Sequence, residues 1–279
     1  MATGHRLRSP IIAIVLLSCA LTRTACGEAE AQAAFSHASL DSILHAHVDS
    51  AGLVDYARLN ATSRTNLERY IDLLARTSPV NCPGAFPTDD DKLAYWINAY
   101  NAFVLSAVAS AYPVESVEDI GSLQHFFRQR QFVAGGIPYT LDQIESSIIR
   151  EQFHDPRIHF VVNCAARSCP ALENRAFSAL DLQQRLEEAA RRFAANQVHL
   201  RLDEKAGRLH LSQLLNWYGE DFTKWFPKPR PKHHPQHEAP SIIDYLARYA
   251  PQREARFLLQ HRDVDIVFID YDWTINARK

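Results

Sequence analysis

Apolar residues return at helical spacing in several stretches of the chain. Leu40, Ile43, Leu44, His47 and Val48 mark a first helix, with Asp41 in its first turn and Gly52 as its stop. Leu67, Tyr70, Ile71 and Leu74 mark another, closed by Ser78-Pro79. The strongest pattern opens at Thr88-Asp89-Asp90-Asp91, an N-cap followed by acidic residues that suit the positive end of a helix. It continues through Leu93, Trp96, Ile97, Tyr100, Phe103, Val104, Ala107 and Val108 and stops at Tyr112-Pro113. A helix apolar nearly all round is a buried helix. Asn98 and Asn101 fall inside it, and buried amides need partners.

Strand patterns are shorter. Phe132 to Tyr139 predicts two strands around a Gly135-Gly136 hairpin turn. Thr140 then caps a helix with Gln143 as its capping-box partner; Ile144, Ile148 and Ile149 follow, and the helix runs to about Phe153. The apolar run Ile158 to Asn163 reads as a central strand that delivers the loop from Cys164 to Pro170 to its C-terminal end. Leu180 to Asn196 is amphipathic and helical. Val198 to Leu202 and Arg208 to Leu211 alternate like strands across a Lys205-Ala206-Gly207 turn. Ser212 opens a helix through Trp217-Tyr218, Ile242 to Tyr249 and Arg253 to His261 are helices, and Val264 to Asp270 is the last strand. The expected fold is α+β (mixed α/β): a long buried helix and several others around a small, mostly antiparallel sheet that holds both the central and the C-terminal strand.

Composition adds bounds. The 279 residues are 47% hydrophobic and 22% charged, ordinary for a globular chain with room for a real core. A formal net charge of -2 gives no basic footprint, so no nucleic-acid partner is expected. Arg6 and Arg8 precede an apolar run, Ile11 to Leu17, too short to span a bilayer, and residues 1–18 read as an export signal. Leu16-Leu17-Ser18-Cys19 resembles a lipobox, which makes Cys19 the candidate lipid anchor; the rival is cleavage near Ala31-Gln32-Ala33. Residues 19–36 are then a tether and 37–279 one domain. Either route takes the mature chain out of the cytoplasm, to the periplasm or to the outer membrane as a lipoprotein. Residues 227–240, rich in Pro, Lys and His, read as an exposed loop, and His233, His234 and His237 have no fixed geometry there.

Several short blocks together carry a resemblance. They are Val54-Asp55-Tyr56; Trp96-Ile97-Asn98-Ala99-Tyr100-Asn101-Ala102; Gly135-Gly136 with Leu141-Asp142-Gln143-Ile144-Glu145; and Asp155-Pro156-Arg157-Ile158-His159-Phe160. Cys164 with Ser168-Cys169-Pro170, Trp217-Tyr218 with Asp221-Phe222, and Tyr271-Asp272-Trp273 with Asn276 complete the set. In this order, from roughly Leu53 to Asn276, the chain resembles the bacterial and plant family catalogued as domain of unknown function 547. The resemblance implies one domain and no particular activity. Ala165 stands where the family pattern has glycine, and Thr274-Ile275 where Ser-Leu is usual. A distant likeness to papain-like or transglutaminase-like folds would put a nucleophile near Asn98, but no cysteine begins the long helix.

Candidate chemistry centres on Cys164 and Cys169. Either is a candidate nucleophile, with His159 as base, an Asp or Asn as orienter and Arg167 favouring the thiolate. Alternation along a strand would set His159 on the face opposite Cys164. The rival reading is a Cys164–Cys169 disulfide; a zinc site lacks the paired Cys-x-x-Cys spacing, and a third reading, a thiol–disulfide redox protein, has a spacing longer than the usual Cys-x-x-Cys. Cys82 is left as an odd thiol. Asn98 joins the candidate catalytic set, against the reading that it and Asn101 satisfy backbone groups. Arg157, Arg167, Asn101 and Trp273 are candidate substrate contacts. The arginines are equally suited to ion pairs with Asp270 or Asp272, and Trp273 to an aromatic lock over the core. Glu145 and Asp142 suit the helix N-terminus. No metal and no cofactor is called for. Two functions stand: an exported cysteine-dependent hydrolase or acyl transferase, or a non-catalytic envelope binding or scaffolding module with a Cys164–Cys169 disulfide. The partner in either is an unknown small molecule or peptide.

Overall fold

A computed structural model of the chain describes residues 34–226 and 241–278. The export signal, Cys19 and the Pro/His-rich loop lie outside the described residues. Helices α1 (Ala38–His47), α2 (Tyr56–Thr62) and α3 (Arg64–Arg76) lead to the long helix α4 (Asp89–Ala111). Helix α4 forms as its sequence predicts. The Thr88 hydroxyl accepts from the Asp91 N–H at 3.1 Å, and the Asp91 carboxylate accepts from the Thr88 N–H at 3.0 Å. Nearly its whole surface from Leu93 to Ala109 is buried, so the remaining helices pack round it. Helix α5 (Leu123–Arg128) precedes the hairpin of β1 (Phe132–Ala134) and β2 (Ile137–Tyr139). Gly135, with φ at +58°, turns this hairpin and donates to the Leu74 carbonyl; a side chain there would run into Ser78 and Asn81.

After the hairpin, the Thr140 hydroxyl accepts from the Gln143 N–H and the Gln143 side-chain oxygen accepts from the Thr140 N–H, as expected. The helix they open is π-wound from Gln143 to Arg150 and ends in a short α6 (Glu151–Phe153). The predicted central strand is absent. Pro156–Phe160 is a 3-10 helix, capped by Asp155, whose carboxylate accepts from the Arg157 N–H at 2.9 Å, with proline in its first turn. Asp-Pro is a helix-start signal, and a short apolar run buried on all sides has the same composition in a strand or a helix. With no neighbouring strand, the segment finds its partner in α4. The Asn101 amide donates to the Val161 carbonyl at 2.9 Å, and its oxygen accepts from the Asn163 N–H at 2.8 Å.

Helix α7 (Leu182–Ala195) covers this segment. Strands β3 (Leu200–Asp203) and β4 (Arg208–Ser212) pair antiparallel. Helices α8 (Gln213–Trp217), α9 (Gly219–Lys224), α10 (Ile242–Tyr249) and α11 (Gln252–Gln260) intervene before β5 (Asp265–Ile269), which joins β4 in parallel. The strands therefore form two small sheets rather than one, and the thiol-bearing segment belongs to neither. What positions that segment is the C-terminal tail. Asn276 and Thr274 exchange backbone bonds with Ala165 and Arg167, while the Asn276 carbonyl accepts from Val54. The Tyr56 hydroxyl donates to Asn276 Oδ1 at 2.8 Å, and the Ser168 hydroxyl accepts from the Asp272 N–H. The tail stitches the start of the domain to its central loop.

Candidate functional site

The loop from Asn163 to Pro170 is shaped by its own polar groups. Asn163 Oδ1 accepts from the Ala165 N–H, and its amide donates to the Pro170 carbonyl. Ala165 takes φ of +64°, the left-handed region where glycine costs least. The turn brings Cys164 and Cys169 together as a disulfide, with Cα atoms 6.1 Å apart. The Tyr271 hydroxyl lies 3.1 Å from Cys164 Sγ and 3.2 Å from Cys169 Sγ. Cys82, the expected odd thiol, is itself disulfide-bonded.

This bridge forms part of the wall of a cavity of about 570 Å³. Tyr100 of α4, Phe127 and Arg128 of α5, and Glu145 and Arg150 of the π-wound helix also line it. His159, Trp217, Tyr218, Tyr271 and Trp273 complete its aromatic side. Trp217, Tyr271 and Trp273 pack together, with centroids 4.5 to 6.1 Å apart.

Behind the rings lies a charged relay. His159, fully buried, places Nε2 2.7 Å from Asp221 Oδ2 and stacks on Tyr218 with centroids 4.1 Å apart. Arg150 grips the same carboxylate with a fork, Nε at 2.6 Å and Nη2 at 2.9 Å, and lies over the Tyr218 ring. Burial works against the charge of Asp221, but the hydrogen bonds from His159 and Arg150 outweigh it and hold the carboxyl at about 2. This contact occupies Nε2 of the imidazole. Nδ1 is buried and has no hydrogen-bond partner among the described residues.

Residues 85–194 match the family model described as "Protein of unknown function, DUF547". The match supports the resemblance over the blocks from Trp96 to Pro170; those at Val54, Trp217 and Tyr271 lie outside it. No curated protein and no solved structure matches the chain. The DUF547 segment supplies Tyr100, Glu145, Arg150, His159 and both bridged cysteines. Tyr218, Asp221, Tyr271 and Trp273 come from beyond it.

The fold brings Cys164, Cys169, His159 and Trp273 to one cavity. The strand alternation that would have parted His159 from Cys164 does not apply, because the segment is helical and then bends. Four other candidates lie elsewhere. Asn98 is locked to the backbone of Phe177, donating to its carbonyl at 2.8 Å and accepting from its N–H at 2.9 Å. Asn101 holds Val161 and Asn163. Arg157 forks onto Asp155 and reaches Gln183 rather than Asp270 or Asp272. Arg167 is exposed and donates to the Ala277 carbonyl. The guanidinium groups that line the cavity are Arg150 and Arg128, and the carboxylate that holds His159 is Asp221; none was singled out by spacing. The one available signal was that Asp221 sits in a block that carries the resemblance. Among the described residues, no cluster of three or more His, Cys, Asp or Glu side chains could hold a metal ion.

Proposed function

We propose that the protein is a non-catalytic binding module of the cell envelope, whose aromatic cavity takes a small molecule or peptide. The observation that carries this reading is the Cys164–Cys169 bridge in the cavity wall. Each sulfur is covalently spent on the other, so neither is a nucleophile, and His159 Nδ1 has no thiol to deprotonate. A bridge of this kind persists in an oxidising compartment, in keeping with export of the chain to the periplasm, free or anchored through Cys19. The bridge stiffens the loop between the cavity and the C-terminal tail, and stiff aromatic walls suit binding with little ordering cost.

Mass spectrometry of unreduced peptides tests the reading. The fragment holding both cysteines is expected to be quantitatively bridged, with no alkylation of native protein by iodoacetamide. Labelling of either cysteine in unreduced protein would overturn it. A second reading, a thiol-dependent hydrolase or acyl transferase, is favoured by His159, which lines the same cavity as the sulfurs and is held from behind by Asp221. Reduction by a dithiol would break the S–S bond and return two thiols while the reductant becomes the disulfide. On that reading, hydrolysis of model thioesters appears only after reduction and vanishes in Cys169→Ser.

A further inference from the structure

We infer that the cavity is built for an organic ammonium: a cationic nitrogen bearing N–H groups, carried on an apolar or aromatic body. The inference rests on the binding reading above and names the ligand class of the same cavity.

The first argument is charge. Arg150 spends its fork on Asp221. Arg128, exposed at the rim, is paired with Asp142 at 3.3 Å. Glu145 also lines the cavity, and it makes no salt bridge among the described residues. Its neighbours are phenols. Tyr100 and Tyr218 are held well above the usual tyrosine range, first by burial and then by the negative charge of Glu145. Tyr271 responds to burial and to the same carboxylate. The two lining guanidinium groups, Arg150 and Arg128, are therefore each paired with another carboxylate, and Glu145, within the field of Arg150, is otherwise surrounded by tyrosine hydroxyls.

The second argument is the hydrogen-bond inventory. His159 lines the cavity and is fully buried, and its Nδ1 has no partner among the described residues. A buried polar atom left unmet costs free energy, so a ligand group that pairs with it gains more here than in water. Among the described residues Glu145 has no cation paired to it, while Arg150 is held by Asp221 and Arg128 contacts Asp142. A carboxylate or phosphate ligand would meet Glu145 as a like charge, while a purely apolar ligand would leave that carboxylate without a cation.

The third argument is the wall. Trp217 is half-exposed at the mouth and packs on Tyr271 and Trp273. Ring faces carry negative quadrupole density and attract cations, tryptophan most strongly. Aromatic faces at the entrance and a carboxylate inside form one consistent recognition surface for an ammonium.

The experiment uses the full chain and four probes of one shape: 2-phenylethylamine, N-acetyl-2-phenylethylamine, 2-phenylethanol and 3-phenylpropanoate. Binding is read by calorimetry and by tryptophan fluorescence. The amine is expected to bind at least about tenfold tighter than the alcohol, a difference of about 1.4 kcal/mol, with the propanoate weakest. Glu145→Gln is expected to erase the preference for amine over alcohol, a ratio that a merely loosened cavity would not change. Trp217→Ala, at a half-exposed position that carries little of the fold, should weaken the amine severalfold. Tighter binding of the propanoate or the acetylated amine, or a preference that survives Glu145→Gln, overturns the ammonium assignment and leaves the binding reading standing. Absence of binding by all four probes overturns both.

Discussion

Replacing Asp221 by asparagine removes the charge on which Arg150 and His159 converge. The side chain is 3% exposed and accepts from three nitrogens between 2.6 and 2.9 Å away. Its carboxyl falls from 3.8 to about 2 in the folded protein, because the hydrogen bonds from His159 and Arg150 overcome the burial penalty. At ~1.4 kcal/mol per unit of pKa, the ionised form stabilises the folded state by about 2 kcal/mol. Asparagine also strands the guanidinium of Arg150, whose side chain is 22% exposed and so keeps some water. Breaking a buried pair costs about 3–5 kcal/mol, and partial exposure points to the lower end, about 3 kcal/mol. The sign is set by a depressed folded pKa. The contribution is complete above about pH 4, the unfolded value, and is lost as pH falls through about 2. Urea unfolding followed by tryptophan fluorescence, at pH 7 and then toward pH 2, reads both effects. Wild type should exceed Asp221→Asn by about 3 kcal/mol at neutral pH, and the gap should narrow by about 2 kcal/mol in acid. A gap under about 0.5 kcal/mol at pH 7, the range of an ordinary surface change, would refute the convergence, as would a gap that ignores acid.

Three further outcomes are expected. Asn98→Ala leaves the buried N–H and carbonyl of Phe177 unpaired and should cost about 3 kcal/mol in thermal or urea unfolding; a loss below about 1 kcal/mol would mean that the amide is not a structural clamp. Cys169→Ser opens a loop closed across a sequence separation of 5 and should cost about 2 kcal/mol, measured by the urea midpoint with and without reductant; reductant should shift wild type and leave the variant unmoved. His199, buried and stacked on Phe193, has its pKa lowered from 6.5 to about 4 by burial. Its unfolded form binds the proton more readily, so stability is full above about pH 6.5 and is lost as pH falls toward 4. Near pH 5 the loss is about 2 kcal/mol, and His199→Phe should remove that share; an unchanged difference between pH 7.5 and pH 5 would contradict it.

The blocks that carry the family resemblance divide into two kinds. Asn98, Asn101 and Asn276 clamp backbone across long sequence separations, and Tyr56 holds the Asn276 side chain. Glu145, His159, Cys164, Cys169, Tyr218, Tyr271 and Trp273 face the cavity. A buried amide and a site amide look alike in a sequence, which is why Asn98 read as a candidate catalytic group and folds as a clamp.

What could be read along the chain is what local physics decides. The Thr88 cap, the apolar face of α4, the Gly135 turn and the Thr140–Gln143 box each need only residues within a turn of one another, and each forms as expected. The segment after Pro156 failed as a strand because burial on every side erases the alternation by which a strand is told from a helix. The cavity chemistry was out of reach for a different reason. Arg150 and His159 meet Asp221 from 71 and 62 residues away, so no spacing records the contact. It exists because α9 packs beneath the π-wound helix and the 3-10 turn, and only that packing decides which arginine is spent, which carboxylate is free, and which histidine nitrogen is left without a partner.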